Sequence, residues 1–151
     1  MTAPHELSIA RHIKASPATV WRVFTERTGE WWCPKPWTTP VVAWELRPGG
    51  SARTVMQTPD GEQHEHDGVF LEVVPAQRVV FTDAFRGDWI PDGPFMVVII
   101  EFAAEGDGTR YTARVRHWTD EALKQHEAMG FESGWGTVAD QLAALAEAEP
   151  E

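Results

Sequence analysis

From Val41 to Trp118 the sequence alternates short strand-like segments with turn signals, and no helical period interrupts them. The clearest turns are Pro48-Gly49-Gly50 and Pro59-Asp60-Gly61, whose residue types favour sharp reversals of the chain. Because consecutive strands joined by short turns pair antiparallel, this stretch predicts an antiparallel meander. The predicted strands cover residues 41–47, 51–57, 65–74, 78–85, 95–103 and 110–118.

A strand and a helix precede the meander. Glu6–Ile13 alternates in polarity, which is typical of a strand. Ser16 is a good N-cap and Pro17 suits the first helical position, so we expect a helix from Pro17 to about Glu26. Residues 29–40 are rich in tryptophan and proline, which predicts a packed loop with room for one further helical turn.

After Trp118 the hydrophobic period changes to steps of three and four. Thr119 suits the N-cap position, and beyond Gly134 one apolar stripe predicts an amphipathic helix. The members of this stripe are Trp135, Val138, Ala139, Leu142, Leu145 and Ala146. Gly130 and Gly134 interrupt the region, and the sequence leaves open whether it forms one kinked helix or two helices.

The order strand, helix, meander, helix predicts an α+β fold. We expect a curved antiparallel sheet of about seven strands around a long C-terminal helix, with one or two short helices after the first strand. The length of 151 residues suits a single domain over residues 1–151, with an ordered part of about 5–147.

The charge balance excludes several classes of partner. The formal net charge of −10 disfavours nucleic acid and anionic membranes. Apolar runs such as Phe95–Ile100 are too short to span a bilayer, and the N-terminus has no signal-peptide pattern, so we expect a cytoplasmic protein.

Cys33 is the single cysteine, and we interpret it as a structural thiol because no neighbouring base is apparent.

Five segments, in this order along nearly the whole chain, carry a resemblance to a known family. They are SPATVWRVFT, WELRPGG, DGVFLEVVPAQRVVFTD, GTRYTARVRHW and HEAMGFESGWGTVADQLAALA. The chain resembles stand-alone bacterial members of the heat-shock-protein-90 ATPase activator homologue family, within the START-like, Bet v 1-like (SRPBCC) superfamily. The resemblance implies a helix-grip fold, which often holds an apolar molecule between sheet and helix.

We therefore expect a small-molecule binding module for an apolar or aromatic, lipid-like or polyketide-like ligand. His117 shares a strand face with Tyr111, Ala113 and Val115, which places its imidazole at the inner rim of the predicted cavity. The residues predicted to contact the ligand are Trp37, Trp44, Met56, Phe85, Trp89, His117, Met129, Phe131 and Trp135.

Two other functions stay open at this point. A protein-interaction or chaperone-regulating role follows from the family resemblance alone. An enzyme of cyclase or dehydratase type would use His117 with a carboxylate such as Asp83 or Glu101, although no residue is assigned as catalytic. A monomer and a homodimer are equally compatible with the sequence.

No cofactor or metal is predicted. His64 and His66 would share a strand face, but two ligands do not make a metal site, and we interpret both as solvated residues after a turn.

Overall fold

The computed structural model describes residues 5–150. It contains strands β1 (Glu6–Ile13), β2 (Thr38–Trp44), β3 (Ala52–Gln57), β4 (Gln63–His66), β5 (Val69–Val74), β6 (Arg78–Thr82), β7 (Phe85–Arg86), β8 (Ile90–Pro91), β9 (Met96–Glu105) and β10 (Gly108–His117). Its helices are α1 (Pro17–Glu26), α2 (Asp120–Ala128) and α3 (Phe131–Ala148). Thr28–Glu30 adds a short 3₁₀ turn after α1.

The strands form an antiparallel sheet that curves around α3. The larger part, called the large sheet, has the order β1-β10-β9-β6-β5. The smaller part, called the small sheet, has the order β2-β3-β4. A bridge between Ser51 and Val69 links the two parts, and the Phe70 amide donates to the Gly50 carbonyl beside it. The α+β helix-grip architecture predicted from the sequence is confirmed.

The segment 65–74, predicted as one strand, is divided between β4 and β5. The break falls at Asp67 and Gly68, where the chain passes close to Thr82. A Cβ atom on Gly68 would lie 2.3 Å from the Thr82 carbonyl oxygen, so this approach requires glycine. The single-strand prediction was wrong because alternation of side chains does not show where a strand must change direction.

The predicted strand 78–85 ends at Thr82. Residues 83–95 form a loop outside the large sheet, which we call the excursion. Asp83 closes the base of this excursion, because its Oδ1 accepts the amide of Phe95 at 2.8 Å and that of Met96 at 3.1 Å. The tip of the excursion carries the two-residue strands β7 and β8.

The C-terminal region forms two helices. Thr119 caps α2 by accepting the Ala122 amide at 3.1 Å, and Gly130 separates α2 from α3 with a φ of 90°. Gly134 lies inside α3 and does not interrupt it. The helix continues to Ala148, slightly beyond the predicted limit, whereas the predicted unordered residues 1–4 lie outside the described residues.

The core between α1, the sheet and α3 is aromatic. The Phe24 ring lies 5.0 Å from Trp31 and 5.4 Å from Trp44. Gln141 of α3 holds the tryptophan loop by donating to the carbonyls of Trp31 and Cys33. Within residues 5–150, every helix is too short or too polar to cross a lipid bilayer.

Candidate functional site

Three of the predicted ligand residues come together beside the start of α3. His117 ends β10, whereas Phe131 and Trp135 lie on the first turns of α3. The Phe131 and Trp135 rings stack with centroids 5.5 Å apart. Met129 precedes them in the chain but is 69% exposed.

The other predicted ligand residues lie in three separate places, namely Trp44 in the aromatic core, Trp37 and Met56 on the small sheet, and Phe85 and Trp89 on the excursion. Trp37 stacks on His64, which is the strand partner of Met56. Trp89 is 50% exposed and contacts Phe85. The sequence could not show these separations because they depend on how the sheet curves.

His117 lies on the inner face of the sheet, together with Tyr111, Ala113 and Val115, as its strand position predicts. It is only 6% exposed. Its Nδ1 atom lies 2.8 Å from the carbonyl oxygen of Phe95, whose ring packs against the imidazole at 4.8 Å. The His117 imidazole, predicted to lie at the inner rim of the cavity, is therefore a buried group that is hydrogen-bonded to the backbone.

His126 of α2 contacts His117 directly. His126 Nδ1 lies 3.0 Å from His117 Nε2, and Trp135 Nε1 donates to His126 Nε2 at 3.3 Å. A continuous chain of hydrogen bonds thus runs from the Phe95 carbonyl through both imidazoles to the indole of Trp135. We call these three linked side chains, His117, His126 and Trp135, the histidine relay.

The two ends of the relay determine the tautomer of each imidazole. A carbonyl oxygen only accepts, so His117 carries a hydrogen on Nδ1 and donates it to Phe95. An indole N–H only donates, so Nε2 of His126 carries no hydrogen. His126 therefore carries its hydrogen on Nδ1 and donates it to Nε2 of His117. Both rings are neutral, and each of their nitrogens has a partner.

Aromatic rings surround the His126 imidazole. Phe131 lies 5.1 Å away, Phe95 lies 5.2 Å away and Trp135 lies 6.2 Å away. Burial, and to a smaller extent the nearby His117, lower the pKa of His126 to about 4. An added proton on Nε2 of His126 would face the N–H group of Trp135, so the hydrogen bonds also disfavour the charged form of His126.

His126 is the most deeply buried side chain of α2, and Ala122 and Leu123 beside it are half-buried. Among the nine residues of α2, His126 is the one that is buried, and it is 8% exposed. Our sequence reasoning missed His126. The sequence carried one signal that His126 is buried. His126 lies four residues after Ala122 and three after Leu123, and this spacing puts all three on one helical face.

The carboxylates considered as partners of His117 are engaged elsewhere. Glu101 lies on the outer face of the sheet, where it pairs with Arg114 and Arg78. Asp83 accepts backbone amides at the base of the excursion. Neither carboxylate forms a hydrogen bond with His117 in the described residues, so the relay has no acidic member.

The remaining polar candidates have structural contacts. The Cys33 thiol is buried, lies 3.1 Å from the Thr39 hydroxyl, and has a pKa raised by burial. His64 contacts Glu62 at 3.3 Å as well as Trp37. Across residues 5–150, no three His, Cys, Asp or Glu side chains are grouped so that they could hold a metal ion.

Two open depressions lie on the surface. One, of about 480 Å³, is polar and lies between Arg11 and the start of α3. The other, of about 280 Å³, lies where the two parts of the sheet meet, with Phe81 and Met96 among its lining residues. His126 lines neither of them.

Comparison with protein families identifies one match. The family described as Activator of Hsp90 ATPase homolog 1-like protein matches residues 14–147 of the chain. A comparison with proteins of curated function finds no match.

Several solved structures are similar over nearly the whole chain. A crystal structure from Nitrosomonas europaea has a TM-score of 0.91 and 39% identity, covering 96% of each chain. One from Mycobacterium smegmatis has a TM-score of 0.80 and 26% identity, covering 97% of this chain and 93% of the other. The AHSA1 protein of Silicibacter pomeroyi is similar in fold, with a TM-score of 0.69 and 23% identity, covering 93% of this chain and 96% of the other.

Proposed function

Since the chain belongs to the Activator of Hsp90 ATPase homolog 1-like family, we propose that it binds a small, largely apolar molecule between its sheet and α3. The proposed site lies beneath α2, where Phe95, His117, Phe131 and Trp135 surround the His126 side chain. Ligand sites are typically lined by apolar groups with a few well-placed polar atoms. Here the aromatic rings are the apolar groups, and the ring nitrogens of His117 and Trp135 are the polar atoms.

One observation carries the proposal. Helix α2 has one fully buried side chain over the aromatic residues, and that side chain is a polar ring, whereas Ala122 and Leu123 are only half-buried. A helix that packed for stability alone would bury several aliphatic side chains, because burial of apolar area is the main stabilising term. The contact of α2 is therefore suited to opening, and opening uncovers an apolar site with two polar atoms.

Binding can be tested with naphthalene and 2-naphthol, which share an aromatic body and differ in one hydroxyl group. We expect either molecule to quench tryptophan fluorescence, because Trp135 lines the site. A bound ligand at roughly a hundred times its dissociation constant stabilises the fold by about 2.7 kcal/mol, which thermal or chemical unfolding would reveal. If a broad screen of apolar ligands produced neither quenching nor stabilisation, the proposal would fail.

Two variants locate the site. Trp135→Phe should weaken binding more than it weakens folding, since phenylalanine keeps most of the buried area. Trp118→Phe is the matched control, because Trp118 is 52% exposed and contributes no relay contact. His117→Ala should reduce the affinity for 2-naphthol and leave that for naphthalene nearly unchanged, because only the former can form a hydrogen bond with the imidazole.

A protein-interaction function is the second candidate, and one feature favours it. The tip of the excursion exposes Trp89 by 50% and Ile90 by 46%. Large exposed apolar side chains that lie together are typical of contact surfaces. A double Trp89→Ser, Ile90→Ser variant should then lose partner capture while retaining naphthalene binding. Unchanged partner capture would contradict this interaction surface.

A further inference from the structure

The imidazole of His126 occupies the proposed site as a bound molecule would. Its two nitrogens are paired with groups from two other elements, His117 of β10 and Trp135 of α3. Its ring lies among Phe95, Phe131 and Trp135. The groups around His126 are therefore complementary to a flat, neutral ring that donates one hydrogen bond and accepts another.

We infer that His126 holds the place of the ligand's head group, and that the ligand is a neutral azole with one N–H and one unprotonated ring nitrogen. The two nitrogens stand in a 1,3 relation in imidazole, and an azole head group reproduces that spacing. This inference rests on the proposed function and names its ligand class.

The hydrogen-bond directions select the azole. When α2 lifts, Nε2 of His117 is left as an acceptor and the N–H of Trp135 as a donor, both within an apolar site. A buried polar atom without a partner is costly, so a ligand must satisfy both atoms together. A ring that donates to His117 and accepts from Trp135 does so without any rearrangement of the sheet or of α3.

The charges around the site favour a neutral ligand. The described charged side chains of α2 include the Asp120–Lys124 pair, whose side chains are 59% and 71% exposed. His117 is neutral and points its unprotonated nitrogen at His126. A cationic head group would find no counter-ion on β10 or among the relay contacts of α3.

Helix α2 is the lid that carries the internal head group. Thr119 caps its first turn, and Gly130, with a φ of 90°, lies directly before α3. Trp118 and Met129, which flank the helix, are 52% and 69% exposed, so neither of these two side chains anchors α2 in the core. His126 thus competes with the ligand. The observed affinity is the intrinsic affinity multiplied by the fraction of molecules in which α2 is open.

The experiment removes the His126 imidazole by substitution and offers an azole ring from solution in its place. Binding of benzimidazole, 1-methylbenzimidazole, indole and indene is measured by calorimetry on wild type and on His126→Ala. Benzimidazole both donates and accepts, the methylated ring lacks the donor, indole lacks the acceptor and indene lacks both. Glu127→Ala is the control variant, since this exposed neighbour on α2 forms no relay contact.

We expect His126→Ala to bind benzimidazole at least about tenfold more tightly than wild type and Glu127→Ala do. It should also prefer benzimidazole at least about tenfold over the other three rings, because a site built around hydrogen bonds rejects analogues that leave its polar atoms unpaired. Equal binding of all four rings would overturn the ligand class while leaving the proposed function standing. Equal benzimidazole affinities of wild type and His126→Ala would overturn the competition by His126.

A measurement on wild type keeps the inference testable if His126→Ala does not fold. Saturating benzimidazole should accelerate hydrogen exchange of the α2 amides and leave α3 protected, and the His126 ring should then titrate nearer to its ordinary range. Binding without either change would overturn the inference. Failure of benzimidazole to bind wild type and any folded His126→Ala would also overturn it, whereas the naphthalene and 2-naphthol measurements decide the proposed function separately.

Discussion

At the scale of single residues, the buried pair of histidines is the feature that departs most from ordinary core packing. Phenylalanine or leucine at His126 would give more apolar burial. The imidazole instead forms two directed hydrogen bonds, and these require one tautomer of each ring. Such a pair fixes the orientation of α2, and it makes the attachment of α2 sensitive to protonation.

The free energy of unfolding should decrease as the pH falls through the window from about 6.5 to 4. The folded pKa of His126 is about 4, below the ordinary value of 6.5, so the unfolded chain takes up a proton in this window and the folded chain does not. The loss from this residue amounts to about 3 kcal/mol in total. Urea unfolding of wild type and of the non-titrating His126→Gln variant at pH 7, 5.5 and 4.5 measures it. Parallel pH curves of the two proteins would contradict the assignment.

At the scale of elements, the two C-terminal helices are held in different ways. Helix α3 buries an apolar stripe against β1 and α1, with Phe131, Val138 and Leu142 among its members. Helix α2 fully buries one imidazole, and its Ala122 and Leu123 are half-buried. The junction between them needs a left-handed residue, which Gly130 supplies, so the two helices leave the junction in different directions.

Two glycine substitutions should have opposite effects on stability. Gly130→Ala should destabilise the fold by about 1–2 kcal/mol, because its φ of 90° is unfavourable for a residue with a side chain. Gly134→Ala should stabilise it by about 0.5–1 kcal/mol, because Gly134 lies inside α3. A Cβ at either position meets no atom within 4 Å, so the backbone alone separates the two results. Equal changes measured by urea unfolding would exclude a left-handed Gly130.

The packing of α3 can be measured with a pair of leucines. Leu142 is fully buried, and Leu142→Ala should cost about 2–5 kcal/mol of unfolding free energy. Leu46→Ala is the control, because Leu46 is 37% exposed, and its loss should stay within about 0.5 kcal/mol. A loss below that limit for Leu142→Ala would contradict a gripped helix.

At the scale of the whole molecule, the acidic surface limits the range of partners. The net charge of −10 coexists with paired arginines on the outer face of the sheet, where Arg78, Glu101 and Arg114 form one network. These pairs neutralise the basic groups that could otherwise attract an anionic polymer.

We therefore predict no retention on duplex DNA or on anionic lipid vesicles at near-physiological salt. Electrophoretic mobility shift and vesicle co-sedimentation are suitable measurements, with a basic DNA-binding protein as the positive control. Tight binding to either surface would show that a local basic patch outweighs the net charge, because screening limits the reach of distant charges to about 8 Å at this salt.

The sequence was sufficient for features that depend on neighbours along the chain. Ser16 and Thr119 were recognised as caps, the turns separated most of the strands, and alternation placed His117 on the inner face of β10. Hydrophobic period and capping act within a few residues, so these features can be predicted from local patterns.

The tertiary structure decided what distant segments do to one another. The break at Gly68 depends on Thr82, and the predicted ligand residues Trp37, Trp44 and Trp89 were separated by the curvature of the sheet. His126 meets His117 and Trp135 only because Gly130 turns the chain between α2 and α3. Hydrogen bonds between side chains on different elements leave no period in the sequence, and for that reason the centre of the candidate site could be found only in the folded chain.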